Sequence, residues 1–139
     1  MKNQLRGHFR GLTILVAILI CAGSNVLASK LAPTMIVVNG ETIVASAIAT
    51  DAPWNADPTG KADSTTAIQS ALRDVEAQGG GVVFLPAGRY RIDGVLSIGY
   101  CTSLRGAGGD PDRFAVATRT TLLATGLPAD KPLLDVTAG

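Results

Sequence analysis

The hydrophobic period changes once along this chain, and that change constrains the fold most. Over residues 66–78 the apolar side chains Ala67, Ile68, Ala71, Leu72 and Val75 recur at helical spacing, while Gln69, Arg73, Asp74 and Glu76 face elsewhere. Asp63, Ser64, Thr65 and Thr66 offer N-caps, Thr66 and Gln69 have capping-box spacing, and Gly79 supplies a stop. After Gly79-Gly80-Gly81, residues 82–85 form a short apolar strand closed by Pro86-Ala87-Gly88. Further short strands are predicted over residues 89–92, 95–98, 102–105, 120–124 and 133–136, separated by Gly, Asp or Pro turns, with no second helix between them. Many short strands with glycine corners imply a sheet that turns repeatedly, as in a sandwich or a solenoid.

Upstream of the helix the pattern is weaker. Residues 51–63 read as a loop, because Pro53, Asn55, Asp57-Pro58 and Gly60 punctuate them. Within residues 29–50, Met35-Ile36-Val37-Val38 and Glu41-Thr42-Ile43-Val44 flank Asn39-Gly40. Asn-Gly tolerates positive φ, so this extension is predicted to form a hairpin with a primed turn.

The first 28 residues carry Lys2, Arg6 and Arg10 and no acid, then an apolar run over 12–22 and a small-residue stretch ending Val26-Leu27-Ala28. This is the layout of a secretory signal peptide cleaved after Ala28, and it implies a secreted, periplasmic or cell-envelope product. The apolar run falls short of the roughly 20 residues of a comfortable membrane span, so no stable insertion is expected after cleavage, with an uncleaved anchor over residues 11–28 as the alternative. The remaining 111 residues hold 9 basic and 11 acidic side chains, a balance that disfavours nucleic acid as a partner. Their lack of histidine excludes a Ser-His-Asp triad, a Cys-His pair and a His-ligated zinc built from this part alone, since His8 lies in the leader. Cys101 has no intrachain partner there and is expected to be a small buried apolar residue.

The stretch from Asn55 through Asp57-Pro58-Thr59-Gly60-Lys61-Ala62-Asp63-Ser64-Thr65-Thr66-Ala67-Ile68-Gln69, followed by Gly79-Gly80-Gly81-Val82-Val83-Phe84-Leu85-Pro86-Ala87-Gly88-Arg89-Tyr90, resembles the opening of the pectate lyase superfamily. More narrowly it resembles the rhamnogalacturonase and epimerase-like pectate lyase domain, and Leu104-Arg105-Gly106-Ala107-Gly108 is similar to that family's next signature. The resemblance spans roughly residues 50–123 and implies an all-β solenoid, the start of a right-handed parallel β-helix with an amino-terminal capping α-helix. The cap also has a physical basis, because the first turn of a parallel coil exposes backbone donors and an apolar interior. Phe84, Ile92, Leu96, Ile98, Leu104, Leu122 and Leu134 would then point inward. Residues 51–139 would form the cap and first turns of such a coil, of which residues 79–139 supply only two or three, so the chain reads as the amino-terminal part of a longer protein, with an open end able to self-associate.

In that superfamily the chemistry lies on later turns, with clustered aspartates and Gly-His-Gly in hydrolases, or calcium-binding acids with an Arg or Lys base in lyases. Neither set is recognisable after Ala28, so no catalytic, cofactor or metal residues are assigned. Calcium belongs to the expected full-length family member. Asp110 and Asp112, flanked by Arg105 and Arg113, could bind calcium or serve as acid and base, but Asp-Pro-Asp after Gly108-Gly109 reads more simply as a turn. Gly79-Gly80-Gly81 and Gly106-x-Gly108-Gly109 are corners, since no helix follows either to cradle a phosphate. Trp54, Tyr90 and Tyr100 could stack on sugar rings, and Trp54 could equally pack over the helix. The expected partner is a polysaccharide, an acidic glycan such as pectin or alginate. Two classes stay open: a lyase, hydrolase or epimerase represented by its non-catalytic opening, or a binding or structural β-helix of the adhesin or tailspike-like kind.

Overall fold

A computed structural model describes residues 31–38, 40–108 and 118–136. The leader 1–28, Asn39 and the Asp110/Asp112/Arg113 turn lie outside the described residues. The elements are β1 (Thr34–Val38), β2 (Glu41–Ala45), β3 (Ala47–Ile48), β4 (Thr59–Asp63), α1 (Thr65–Ala77), β5 (Gly81–Leu85), β6 (Gly88–Ile92), β7 (Leu96–Ile98), β8 (Thr102–Gly106), β9 (Thr120–Ala124) and β10 (Leu134–Val136).

Beyond the antiparallel hairpin β1–β2, every strand pairing among the described residues is parallel. One sheet has the order β3-β5-β8, a second β4-β6-β9, and a third pairs β7 with β10. Each sheet therefore takes one strand from each successive pass of the chain, and equivalent side chains stack in rows: Ala47, Val83 and Leu104 in one, Tyr90 and Leu122 in another. The buried cluster runs through Val83, Leu85, Tyr90, Ile92, Leu96 and Ile98 and is closed by Ile68, Ala71, Leu72 and Val75 of α1.

Short turn-separated strands are thus correctly foretold, and so are the pairing of the two apolar runs as a hairpin and the helix, with three corrections. Residues 59–63 form a strand rather than loop: β4 pairs in parallel with β6, aligning Thr59 with Arg89 and Asp63 with Arg91 across a register irregularity. Its glycine and polar side chains hid it, because tertiary pairing overrides weak local propensity. Phe84 does not join the stacked interior. It lies in the row Ile48, Phe84, Arg105, one residue out of phase with the core row, and is buried instead under Ile43 and Ala45 of the hairpin. Leu134 is exposed, because β10 has a neighbouring strand on one side only.

The helix ends as the glycines require. Gly79 N donates to Glu76 O and Gly80 N to Val75 O, the paired bonds of a Schellman stop. Gly79 and Gly80 have φ of +99° and +98°. A Cβ on Gly80 would also come within 2.2 Å of the Cys101 carbonyl oxygen, so that position needs glycine for room as well as for backbone conformation. At the other end the capping box does not form. Asp63 Oδ1 accepts from Thr65 N at 3.0 Å, while Gln69 turns to β7.

Gln69 meets Ser97 like a neighbouring strand: its Oε1 accepts from Ser97 N at 2.8 Å and its Nε2 donates to Ser97 O at 3.0 Å. Two turns on, Glu76 Oε1 accepts from Tyr100 N at 3.2 Å. Seven helical residues rise about 10.5 Å, and three extended residues span about 10 Å, so the two side chains match the spacing of their partners. The helix occupies the edge of β7 opposite β10 by supplying side-chain amide and carboxylate groups where a strand would supply backbone.

Candidate functional site

The loop between β3 and β4 builds one wall of an open cleft of about 670 Å³, lined by Pro53, Trp54, Asn55, Asp63, Thr66, Ala67, Ser70 and Asp74. Asp51 O accepts from both Trp54 N and Asn55 N, and Ala56 N returns to Ala49 O, which fixes the loop as a compact turn. Asn55 sits at φ +54°, a conformation its short polar side chain tolerates, and its Nδ2 donates to Pro53 O. Trp54 packs against the buried cluster and donates from Nε1 to Asp74 Oδ2 on α1 at 2.7 Å. The indole is therefore held at its apolar body and its polar edge. The opposite wall, from α1, is small and polar.

Asp57 organises the next turn. Its carboxylate accepts from Thr59 N and Oγ1, Lys61 N and Ala62 N, and these donors hold it down to a pKa of about 2, the Ala62 bond contributing most. Ser64, one of the foreseen helix caps, does occupy the N-cap of α1, but its buried hydroxyl makes no cap bond and binds the Asp57 backbone. Partial burial opposes ionisation of Asp63, but hydrogen bonds from Thr65 and Asp93 N, with the Arg91 charge, together hold its carboxyl below the usual value. Arg91 is itself bound to Asp93 and to Lys61 O.

On the outer face of β4-β6-β9 the chain presents charged side chains of both signs. Along β6, Tyr90 and Ile92 point inward and Arg89 and Arg91 outward, as strand alternation requires. Arg89 lies in the row Thr59, Arg89, Thr121. Among the described residues, the exposed side chains of Arg89 and Lys61 take part in no hydrogen bond or ion pair.

Of the aromatic candidates, Tyr90 is fully buried, with its hydroxyl donating to Pro86 O and burial pushing its pKa up to about 12; it is a core residue and offers no sugar a surface. Tyr100 is exposed on the turn after β7. Cys101 is exposed rather than buried, at φ +53°, because its carbonyl must reach Gly81 N in the corner opposite the glycines. Arg105 pairs with Glu41 of the hairpin. Gly79-Gly80-Gly81 forms a corner leading into β5. No group of three or more His, Cys, Asp or Glu side chains able to hold a metal occurs among the described residues, and no helix there is long and apolar enough to cross a membrane. Sequence reasoning missed the Asp57 turn and the exposed Arg89 and Lys61. Asp-x-Thr-Gly was a legible Asx-turn signal; the cation pair was not, because only parallel pairing places β4 beside β6.

The sequence profile of the family described as rhamnogalacturonase A/epimerase, pectate lyase-like, matches residues 53–127. The mannuronan C5-epimerases AlgE3, AlgE1 and AlgE2 of Azotobacter vinelandii are each 45% identical over 56 residues, which is 35% of this chain and 3%, 4% and 6% of theirs. The chain thus aligns with a small part of the curated relatives it matches. No solved structure matches it.

Proposed function

The chain belongs to the rhamnogalacturonase A/epimerase, pectate lyase-like family, and on that premise we propose that it forms the opening turns of a secreted β-helix protein acting on acidic polysaccharides. In this reading the three parallel sheets are successive faces of the coil, α1 covers its first turn, and the chain contributes binding rather than bond-making chemistry. The observation that carries the substrate class is the exposure of Arg89 on β6 and Lys61 on β4, whose side chains make no hydrogen bond or ion pair among the described residues. Cations free of internal partners attract a polyanion at low salt and are screened as salt rises. The epimerase relatives, named for mannuronan, point to the same chemistry. Lyase, hydrolase or epimerase chemistry would then reside on residues other than those described, with calcium, where used, held there.

The test is calorimetric titration of the full chain with hexamannuronate and with oligogalacturonate, alongside assays for unsaturated uronate, reducing ends and epimer ratio. Binding without turnover is expected, with affinity falling roughly threefold to tenfold in Lys61→Ala/Arg89→Ala and falling with salt. Binding indifferent to both the double substitution and salt overturns the assignment. A second reading, a non-catalytic adhesin or tailspike-like module, uses the same opening turns without chemistry. Turnover by the chain alone, lost on replacing Asp110 and Asp112, would overturn both readings.

A further inference from the structure

The Trp54 cleft has a chemistry opposite to that of the exposed Arg89 and Lys61, and we infer that it is a separate subsite for an uncharged pyranose, with Trp54 as the stacking platform. An aromatic ring that lines an open cleft and is fixed at its polar edge presents apolar area to a sugar ring at little entropic cost. Here that fixing is double, through packing on the buried cluster and through the Nε1 bond to Asp74.

Around the ring stand groups suited to hydroxyls. Among the described residues Asp74 Oδ1 makes no hydrogen bond, its Oδ2 alone being taken by the indole, and Asn55, Thr66 and Ser70 line the same space. The volume of about 670 Å³ is ample for a ring and part of its neighbour.

Charge decides which sugar. Among the described residues the cleft is lined by two carboxylates, Asp63 and Asp74, and by no Lys or Arg. A uronate carboxylate brought there meets like charge, whereas a neutral hexose meets hydrogen-bond acceptors. This subsite is therefore distinct from the Arg89 and Lys61 contacts proposed for acidic glycans, and its occupant is a neutral residue of the glycan or of a side branch.

Trp54 is the sole tryptophan of the chain, so its emission reports this cleft alone. The probes are β-1,4-linked mannohexaose and hexamannuronate, which differ at C6 by a hydroxymethyl against a carboxylate, and the hexamer of chitosan, which carries amines. Mannohexaose is expected to give a saturable change in Trp54 emission below ~10 mM, with hexamannuronate at least about fivefold weaker at low salt. Ser70→Tyr, which fills the cleft from the helix side, should abolish the response while circular dichroism stays unchanged. Lys61→Ala/Arg89→Ala should leave it intact, which separates failure of this subsite from failure of the acidic-glycan reading. No saturable response to mannohexaose, an equal response to hexamannuronate, a response to the chitosan hexamer alone, or a mannohexaose response that survives a folded Ser70→Tyr would each overturn the assignment.

Discussion

Replacing Gln69 tests whether α1 stands in for a strand. Gln69→Met keeps the length and apolar stem of the side chain but removes both bonds to Ser97, at 2.8 and 3.0 Å. A net hydrogen bond contributes about 0.5–1.5 kcal/mol, and water can reach the exposed Ser97 once the amide is gone. The expected loss is therefore at the lower end for two bonds, about 1–2 kcal/mol, or a fall of about 4–8 °C in Tm for a chain of this size. Gln69→Glu sharpens the argument, because a carboxylate still accepts from Ser97 N but cannot donate to Ser97 O. Protonation restores the donor, so the folded state raises the pKa of this carboxyl above its unfolded value of about 4.3. Its contribution is fully present below the unfolded pKa and is lost as pH rises through the folded one. The deficit of Gln69→Glu relative to wild type should thus be small near pH 4 and complete by about pH 6–7. Urea unfolding followed by helix ellipticity and by Trp54 emission measures both. A Gln69→Met variant within about 0.3 kcal/mol of wild type, or a Gln69→Glu deficit independent of pH, would refute the strand-surrogate account.

Leu72→Asp puts an unpaired charge into the buried face of α1 and should abolish cooperative melting, whereas Glu76→Gln keeps an acceptor for Tyr100 N and should change stability by less than about 0.5 kcal/mol; equal melts would mean that the helix face is not packed as described. The depressed pKa of Asp57, about 2 against 3.8, contributes stability present above pH 4 and lost as pH falls toward 2. Asp57→Asn should lower the urea midpoint at neutral pH and flatten that acid limb, and an unaltered limb would assign the acid sensitivity elsewhere. Gly79 and Gly80 share the same φ, but a Cβ meets nothing within 4 Å at Gly79 and a backbone oxygen at 2.2 Å at Gly80. Gly79→Ala should cost about 1 kcal/mol and Gly80→Ala at least about 2 kcal/mol more; identical midpoints would show that φ alone governs both.

The candidate surfaces were legible only in part. Trp54 stood out as an isolated aromatic in a punctuated loop, with stacking on sugar and packing on the helix as alternatives. The structure gives the packing and also places the ring on an open cleft. Tyr90 reads the same as Trp54 in composition, yet strand alternation turns it inward beside Leu122. Arg89 and Lys61 are 28 residues apart in sequence and lie on neighbouring strands only because β4 and β6 are paired.

Local chemistry was determined by the sequence alone: an amphipathic stripe makes α1, two flanking apolar runs make the β1–β2 hairpin, paired glycines stop the helix, and a long ordered pattern identifies the family. These depend on propensities and spacings within a few residues, which the chain carries wherever it folds. Only the tertiary structure decided which strands pair, and hence that polar residues 59–63 are a strand, that Phe84 faces the hairpin and Val83 the core, and that Gln69 leaves its own helix to bond Ser97. Parallel pairing joins residues about 20 to 40 positions apart, and a shift of one residue in that register turns every side chain to the other face. No local pattern fixes such a register; it is set by which rows of side chains can be buried together.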